Sequence, residues 1–214
     1  SSAWLLKDVQ MEYLQEKFAK KGLMILYTAP WPGQGFYTKF PVNSVSDFKG
    51  KKLRIYSTAT QQMGSMLGFN ATILPFAEIP QAFSTGLIEA LFTSPQTGID
   101  IQAWDNTKHF TYAGAIFSKN AVVVTKKAFN ALSKGDQSNI LAAAKKAELR
   151  GWEMSAETTK KQIDILKKNG MSSKNAPDEV ISKMKSIGLE MMKNWRSKAS
   201  PEANAVLDLS LIHI

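Results

Sequence analysis

The stretch "FKGKKLRIYSTATQQMG", Phe48 to Gly64, decides how the rest of the chain is read. In its middle, Leu53 and Ile55 alternate with Arg54 and Tyr56, the period of a strand with two different faces. Ser57-Thr58 ends that strand and a helical pattern follows, so the unit is strand, turn, helix. The chain is basic almost entirely through lysine, and its arginines are Arg54, Arg150 and Arg196. One of them stands on this strand. In open α/β sheets the ligand crevice lies beyond the carboxyl ends of strands, beside helix N-termini. An arginine there offers a carboxylate a planar fork that lysine cannot reproduce. An ion pair with a neighbour such as Glu78 is the competing reading, and position alone does not separate the two.

Outward from this stretch the pattern cycles quickly. "SDFKG" reads as a capped helical turn, "KLRIYS" as a strand and "ATQQMGSMLG" as a helix closed by Gly68. "ATILP" follows as a strand, "FAEIPQAFSTG" as a helix closed by Gly86, and "LIEALFT", "HFTYAGAIF" and "AVVVT" as further strands. Strands separated by short helices indicate an α/β fold. Before this region, residues 3–20 have a helical period and "LMILYTA", Leu23–Ala29, reads as a buried strand. "PWPGQGFYTKFP" is expected to be an aromatic-rich loop, because its prolines and glycines break regular elements. After Lys126 the chain reads as helical almost throughout, with Gly170 as a stop and Pro177, Asp178 and Glu179 opening a last helix.

Composition bounds the function. The chain has 214 residues, 44% hydrophobic and 21% charged, with five tryptophans, which is the make-up of a globular protein. No apolar run is long enough to span a bilayer. With no cysteine there is neither disulfide nor thiolate metal site, and the chain fits a cytosolic or a periplasmic home. The net charge of +9 raises a nucleic-acid reading, but the lysines are scattered in pairs such as Lys20-Lys21 and Lys160-Lys161 without interleaved aromatics. A solvated lysine surface is the preferred reading, with no nucleic-acid partner.

Signatures of catalysis are scarce. There is no GxSxG elbow, no phosphate loop and no HExxH helix. Asp47, Glu78, Glu89, Asp100 and Asp105 show no pairing suited to general acid–base work, and His109 reads as a structural or exposed side chain at a strand start. The residues argue for binding without turnover, and for no cofactor or metal.

Taken in order, Asp47-Phe48-Lys49-Gly50, Lys52-Leu53-Arg54, Leu67-Gly68-Phe69 and Pro75 to Gly86 ("PFAEIPQAFSTG") form a series. That series resembles the solute-binding proteins of the TRAP (tripartite ATP-independent periplasmic) transporters, the DctP family. The resemblance implies a periplasmic-binding-protein-like, type II-like two-lobed α/β fold with long C-terminal helices, the first lobe being incomplete here. It implies a small organic acid captured by lobe closure and handed to membrane permease subunits, in the periplasm, with Arg54 on the ligand carboxylate. The helical stretch after Gly135 becomes the helix running across both lobes.

The departures narrow the ligand. Where the family has Asp-Gly or Asp-Ala, this chain has Glu89-Ala90. Where many members carry Glu-Asn-Pro or Trp-Glu, it reads Phe92-Thr93-Ser94-Pro95, which argues against metal-assisted binding. Gln34 stands near the position of a second arginine in sialic-acid binders. The remaining pocket candidates are Trp31, Gln34 and Phe36 from the expected loop, Ser57, Thr58, Phe76, Thr93 and Ser94, with Asn120 a weaker one. Core packing competes for Trp31 and Phe76, and turn capping for Thr93 and Ser94. Aromatics and hydroxyls around one arginine point to a monocarboxylate with an apolar or aromatic body.

The expected organisation is residues 1–32 as a remnant of lobe I, 33–118 as the core of lobe II, and 119–208 as a return to lobe I with the spanning and C-terminal helices. Residues 209–214, "LSLIHI", match the translation of the mosaic end used in transposon-based DNA library preparation and are read as adapter sequence. The resemblance also implies a signal peptide and about a hundred upstream residues in a whole two-lobed chain. The alternative function is a sensory domain of similar fold that reports its ligand to a signalling partner.

Overall fold

The structure is a computed structural model that describes residues 2–211, with side chains for 7–155 and 157–209. Helix α1 (Ser2–Ala19) is followed by strands β1 (Leu23–Pro30), β2 (Gln34–Thr38) and β3 (Lys52–Ile55), helix α2 (Thr58–Met66) and strand β4 (Asn70–Ile73). Next come α3 (Ile79–Ser84), β5 (Ala90–Thr93), α4 (Pro95–Asp100), β6 (His109–Ala115) and β7 (Lys119–Thr125). The chain finishes with α5 (Lys126–Asn130), α6 (Lys134–Lys168), β8 (Ser172–Asn175), α7 (Asp178–Arg196) and α8 (Pro201–Leu211).

Two compact units share these elements. Of the described residues, the first comprises 2–31, 117–155 and 193–211; the second comprises 32–116 and 156–192. The long helix α6 thus contributes its first part to one unit and its last part to the other. Residues 156–192, grouped from sequence with the return to lobe I, associate by their contacts with the second unit. Residues 212–214, within the stretch read as adapter sequence, lie outside the described residues, while Leu209 to Leu211 complete α8.

In the first unit β1 and β7 pair antiparallel, from Leu23 opposite Thr125 to Pro30 opposite Lys119. A partly buried polar network joins three elements there. Glu148 of α6 accepts from the backbone N–H of Thr28 at 2.9 Å and from its hydroxyl at 2.7 Å. Lys7 of α1 reaches the other carboxylate oxygen at 3.4 Å, and the Trp152 indole N–H donates to the Thr28 hydroxyl at 3.4 Å. Bonds from Thr28 and the Lys7 charge offset the desolvation of this partly buried carboxylate.

The second unit is built on a six-stranded sheet in the order β4-β3-β5-β2-β6-β8. β4, β3 and β5 run parallel, β2 is antiparallel to both its neighbours, and β6 and β8 are parallel. Alternation along the strands sorts two cores onto the two faces. Phe36, Leu53, Ile55 and Phe92 pack on one side with Phe48, Phe69, Met63 of α2 and Val180, Met184 and Ile187 of α7. Tyr37, Leu91 and Phe110 pack on the other with Ile79 and Phe83 of α3 and Leu166 of α6.

The expected loop "PWPGQGFYTKFP" is corrected by this sheet: Gln34 to Thr38 form the interior strand β2, buried along its whole length between β5 and β6. Gly35 is there for space, not for a turn. A Cβ on it would lie 2.5 Å from the Thr111 carbonyl oxygen and 2.9 Å from the Phe110 ring, so the neighbouring backbone excludes any side chain. The paired lysines Lys20-Lys21, Lys126-Lys127, Lys145-Lys146 and Lys160-Lys161 are all exposed. No described helix is long and apolar enough to cross a membrane.

Candidate functional site

Arg54 lies in the middle of the parallel part of the sheet, with Thr72 of β4 on one side and Leu91 of β5 on the other. The strand period places Leu53 and Ile55 in the core across the sheet and Arg54 on the opposite face, as the alternation predicts. The arginine is only 4% exposed. Its Nε donates to the carbonyl of Leu74 at 3.0 Å, and the Tyr56 ring centroid lies 6.0 Å from its Cζ. Burial pushes the guanidinium below its ordinary pKa, partly offset by Tyr56. No carboxylate acts on it among the described residues, and the ion pair with Glu78 weighed from sequence is not formed. An arginine keeps its charge under such burial, so a cation stands here without a protein anion.

Neighbouring elements bring more polar groups to the same end of the sheet. β5 finishes at Thr93, which shares the Leu91 and Arg54 face by alternation, and Ser94 follows as the N-cap of α4. β2 begins alongside, with Gly35 opposite Thr93, which brings the buried Gln34 next to the end of β5. The Tyr56 hydroxyl donates to Gln34 Oε1 at 2.9 Å. Tyr37, also on β2, donates to the Ser94 carbonyl at 3.2 Å, and burial raises its phenol pKa well above the ordinary value.

Ser57 and Ser94 both cap helices. Ser57 Oγ accepts from the Thr60 N–H at 3.2 Å, and Ser94 Oγ accepts from the Thr97 N–H at 3.1 Å. The capping weighed for Ser94 is therefore observed. Thr58 is the first residue of α2, where backbone N–H groups have no partner within the helix.

The other candidates scatter. Phe76 is 53% exposed in a 3-10 turn two residues past Leu74. Phe36 is fully buried against Phe48, Phe69 and Phe92 on the face opposite Arg54, so its ring is core. Trp31 and Asn120 belong to the first unit: Trp31 donates its backbone N–H to Ser118 at 2.8 Å, and Asn120 is exposed on β7 opposite Ala29. The structure thus gathers Arg54, Gln34, Ser57, Thr58, Thr93 and Ser94 at one end of one sheet. Sequence reasoning missed two participants, Tyr56 and the Leu74 carbonyl. Tyr56 was visible on the arginine's face by alternation; a backbone acceptor leaves no mark in a sequence.

Residues 1–198 match the model of the bacterial extracellular solute-binding proteins, family 7, known as DctP. The chain belongs to this family. Among solved structures, an extracytoplasmic solute receptor of Bordetella pertussis that binds pyroglutamic acid superposes with a TM-score of 0.94 at 37% identity, covering 98% of this chain and 69% of that one. A marine metagenome TRAP solute-binding protein specific for pyroglutamate gives 0.92 at 31% identity, with the same coverage of 98% and 69%. A solute-binding protein of Chromohalobacter salexigens is 26% identical over 160 residues, which are 71% of this chain and 47% of that protein. The chain therefore spans about half the length of that relative. The resemblance drawn from the Lys52-Leu53-Arg54 series holds, as does the α/β architecture of TRAP solute-binding proteins.

Proposed function

We propose that this protein is a TRAP-type solute receptor that captures a small monocarboxylate, with pyroglutamate the foremost candidate, and delivers it to membrane permease subunits without chemical turnover. The observation that carries the reading is Arg54, almost wholly buried and without a carboxylate partner among the described residues. Leaving a buried cation uncompensated is costly, and an incoming carboxylate relieves that cost while making charge-assisted bonds. Thr93, Ser94 and Gln34 offer neutral hydrogen-bonding groups near the same strand ends, suited to a lactam or amide and not to a second charge. The solved relatives above 30% identity that bind pyroglutamate support the same ligand. Residence in the periplasm, capture by closure and the roles of Trp31, Phe76 and Asn120 are part of this proposal.

Isothermal titration of the protein with pyroglutamate and with 2-pyrrolidinone, the same ring without the carboxylate, tests it. Binding of the acid with no detectable binding of the neutral ring supports carboxylate capture. Equal binding of both, or of neither, contradicts it.

A further inference from the structure

We propose that Tyr56 is a positioning residue, a strut between Gln34 and Arg54 that orders the guanidinium before ligand arrives. This rests on the carboxylate reading of Arg54, and it adds a residue which neither the motif series nor the comparisons assign.

β3, β5 and β2 are consecutive in the sheet, so a link between the end of β3 and the start of β2 must pass over the end of β5. Neighbouring strands stand about 4.8 Å apart, which puts two strands out at about 10 Å. The Tyr56 and Gln34 side chains cover that span together, meeting in the 2.9 Å bond from the phenol to Gln34 Oε1. Gln34 is a firm anchor, because it is 2% exposed and its backbone pairs with Ala115 of β6. A tyrosine has few rotatable bonds, so fixing its hydroxyl fixes its ring.

The ring in turn bears on Arg54, whose Cζ lies 6.0 Å from its centroid, at the edge of cation–π range. The Leu74 carbonyl holds Nε on the β4 side at 3.0 Å. Between carbonyl and ring the guanidinium loses much of the rotamer freedom that a long side chain gives up on binding. Ordering it in advance raises affinity without adding a ligand contact. The two terminal nitrogens, which have no protein acceptor among the described residues, are left as the fork. Strands β4, β3, β5 and β2 thus act as one device, and Tyr56 is the part that spans it.

Two readouts test this, one of them free of ligand. In the first, solvent exchange of the Arg54 Nε–H is followed by NMR in the ligand-free protein, with the β3 backbone amides as a control for general loosening. Tyr56→Leu is expected to speed Nε–H exchange while leaving the β3 amides slow, and Tyr56→Phe, which keeps the ring, is expected to fall between. In the second, pyroglutamate is titrated into wild type, Tyr56→Leu, Arg54→Lys and the double variant. Tyr56→Leu is expected to weaken binding about tenfold in the wild-type background and to add nothing once Arg54 is lysine. Unchanged Nε–H exchange, or equal weakening in both backgrounds, overturns the strut. If wild type does not bind pyroglutamate, the ligand proposal fails and the exchange measurement alone decides on Tyr56.

Discussion

The Nε–H of Arg54 donates to the carbonyl of Leu74 at 3.0 Å, and this bond sets which edge of the guanidinium is left for an anion. With Nε committed to the end of β4, the two terminal nitrogens form a planar pair suited to both oxygens of one carboxylate. Lysine at this position presents a point charge and cannot offer a planar pair of donors beside a bond to Leu74. Arg54→Lys is expected to weaken acid binding by about a hundredfold, read by titration calorimetry.

The same arginine should limit the stability of the ligand-free fold. A buried charge with no partner anion is destabilising, and an apolar side chain of similar length removes that burden. Arg54→Met is therefore expected to melt at a temperature equal to or above that of wild type without ligand. A clear fall in its melting temperature would show that the guanidinium contributes to the fold beyond its bond to Leu74.

Phe36 and Phe76 separate core from pocket. Phe36 is fully buried among three other phenylalanine rings, so Phe36→Ala is expected to cost about 3–5 kcal/mol in chemical denaturation. Phe76, half-exposed beside the arginine's backbone acceptor, should lose less than about 1 kcal/mol on truncation. A drop in affinity for Phe76→Ala at unchanged stability places its ring against ligand.

Gly98 of α4 lies against the Tyr37 ring, where an added Cβ would collide with the phenol. Tyr37 in turn holds the Ser94 carbonyl. Gly98→Ala is expected to destabilise by about 1–3 kcal/mol through overpacking, and to weaken acid binding as well, because the displaced ring carries the end of β5 with it. Thermal melts and titrations on the same preparation check both effects.

Acid should loosen the first unit at Glu148. Burial alone would raise its pKa, but the two bonds from Thr28 and the charge of Lys7 together hold it below the ordinary value of 4.5. A lowered folded-state pKa means the carboxylate stabilises the fold at pH above its unfolded value, and that stabilisation is lost as pH falls through the folded value. Melting temperatures measured between pH 7 and pH 3 should therefore fall less steeply for Glu148→Gln than for wild type. At neutral pH that variant should be the less stable by about 1–2 kcal/mol.

How far the sequence carried these conclusions depends on where the determining interactions lie. Leu53 to Tyr56 were legible because the strand period separates Leu53 and Ile55 from Arg54 within four residues. The helix over α6 was legible because its polarity repeats along 35 residues. β2 was not, because Pro32, Gly33 and Gly35 carry the marks of a turn, while what makes Gln34 to Thr38 a strand is pairing on both edges with residues far along the chain. β8, "SSKN", has no apolar alternation and owes its conformation to the edge of β6. At the site, strand position and side-chain chemistry pointed to Arg54, and the family resemblance pointed to Thr93 and Ser94. Phe36 was misplaced together with its strand, and the contacts that order Arg54 come from a carbonyl and a tyrosine whose positions only the fold supplies.

The central claim is that Arg54 holds a ligand carboxylate. Titration of pyroglutamate into wild type and Arg54→Met, each first shown to be folded by its melting transition, addresses it most directly. Saturable binding by wild type and none by Arg54→Met is the expected result. Binding of similar affinity by both proteins would contradict it.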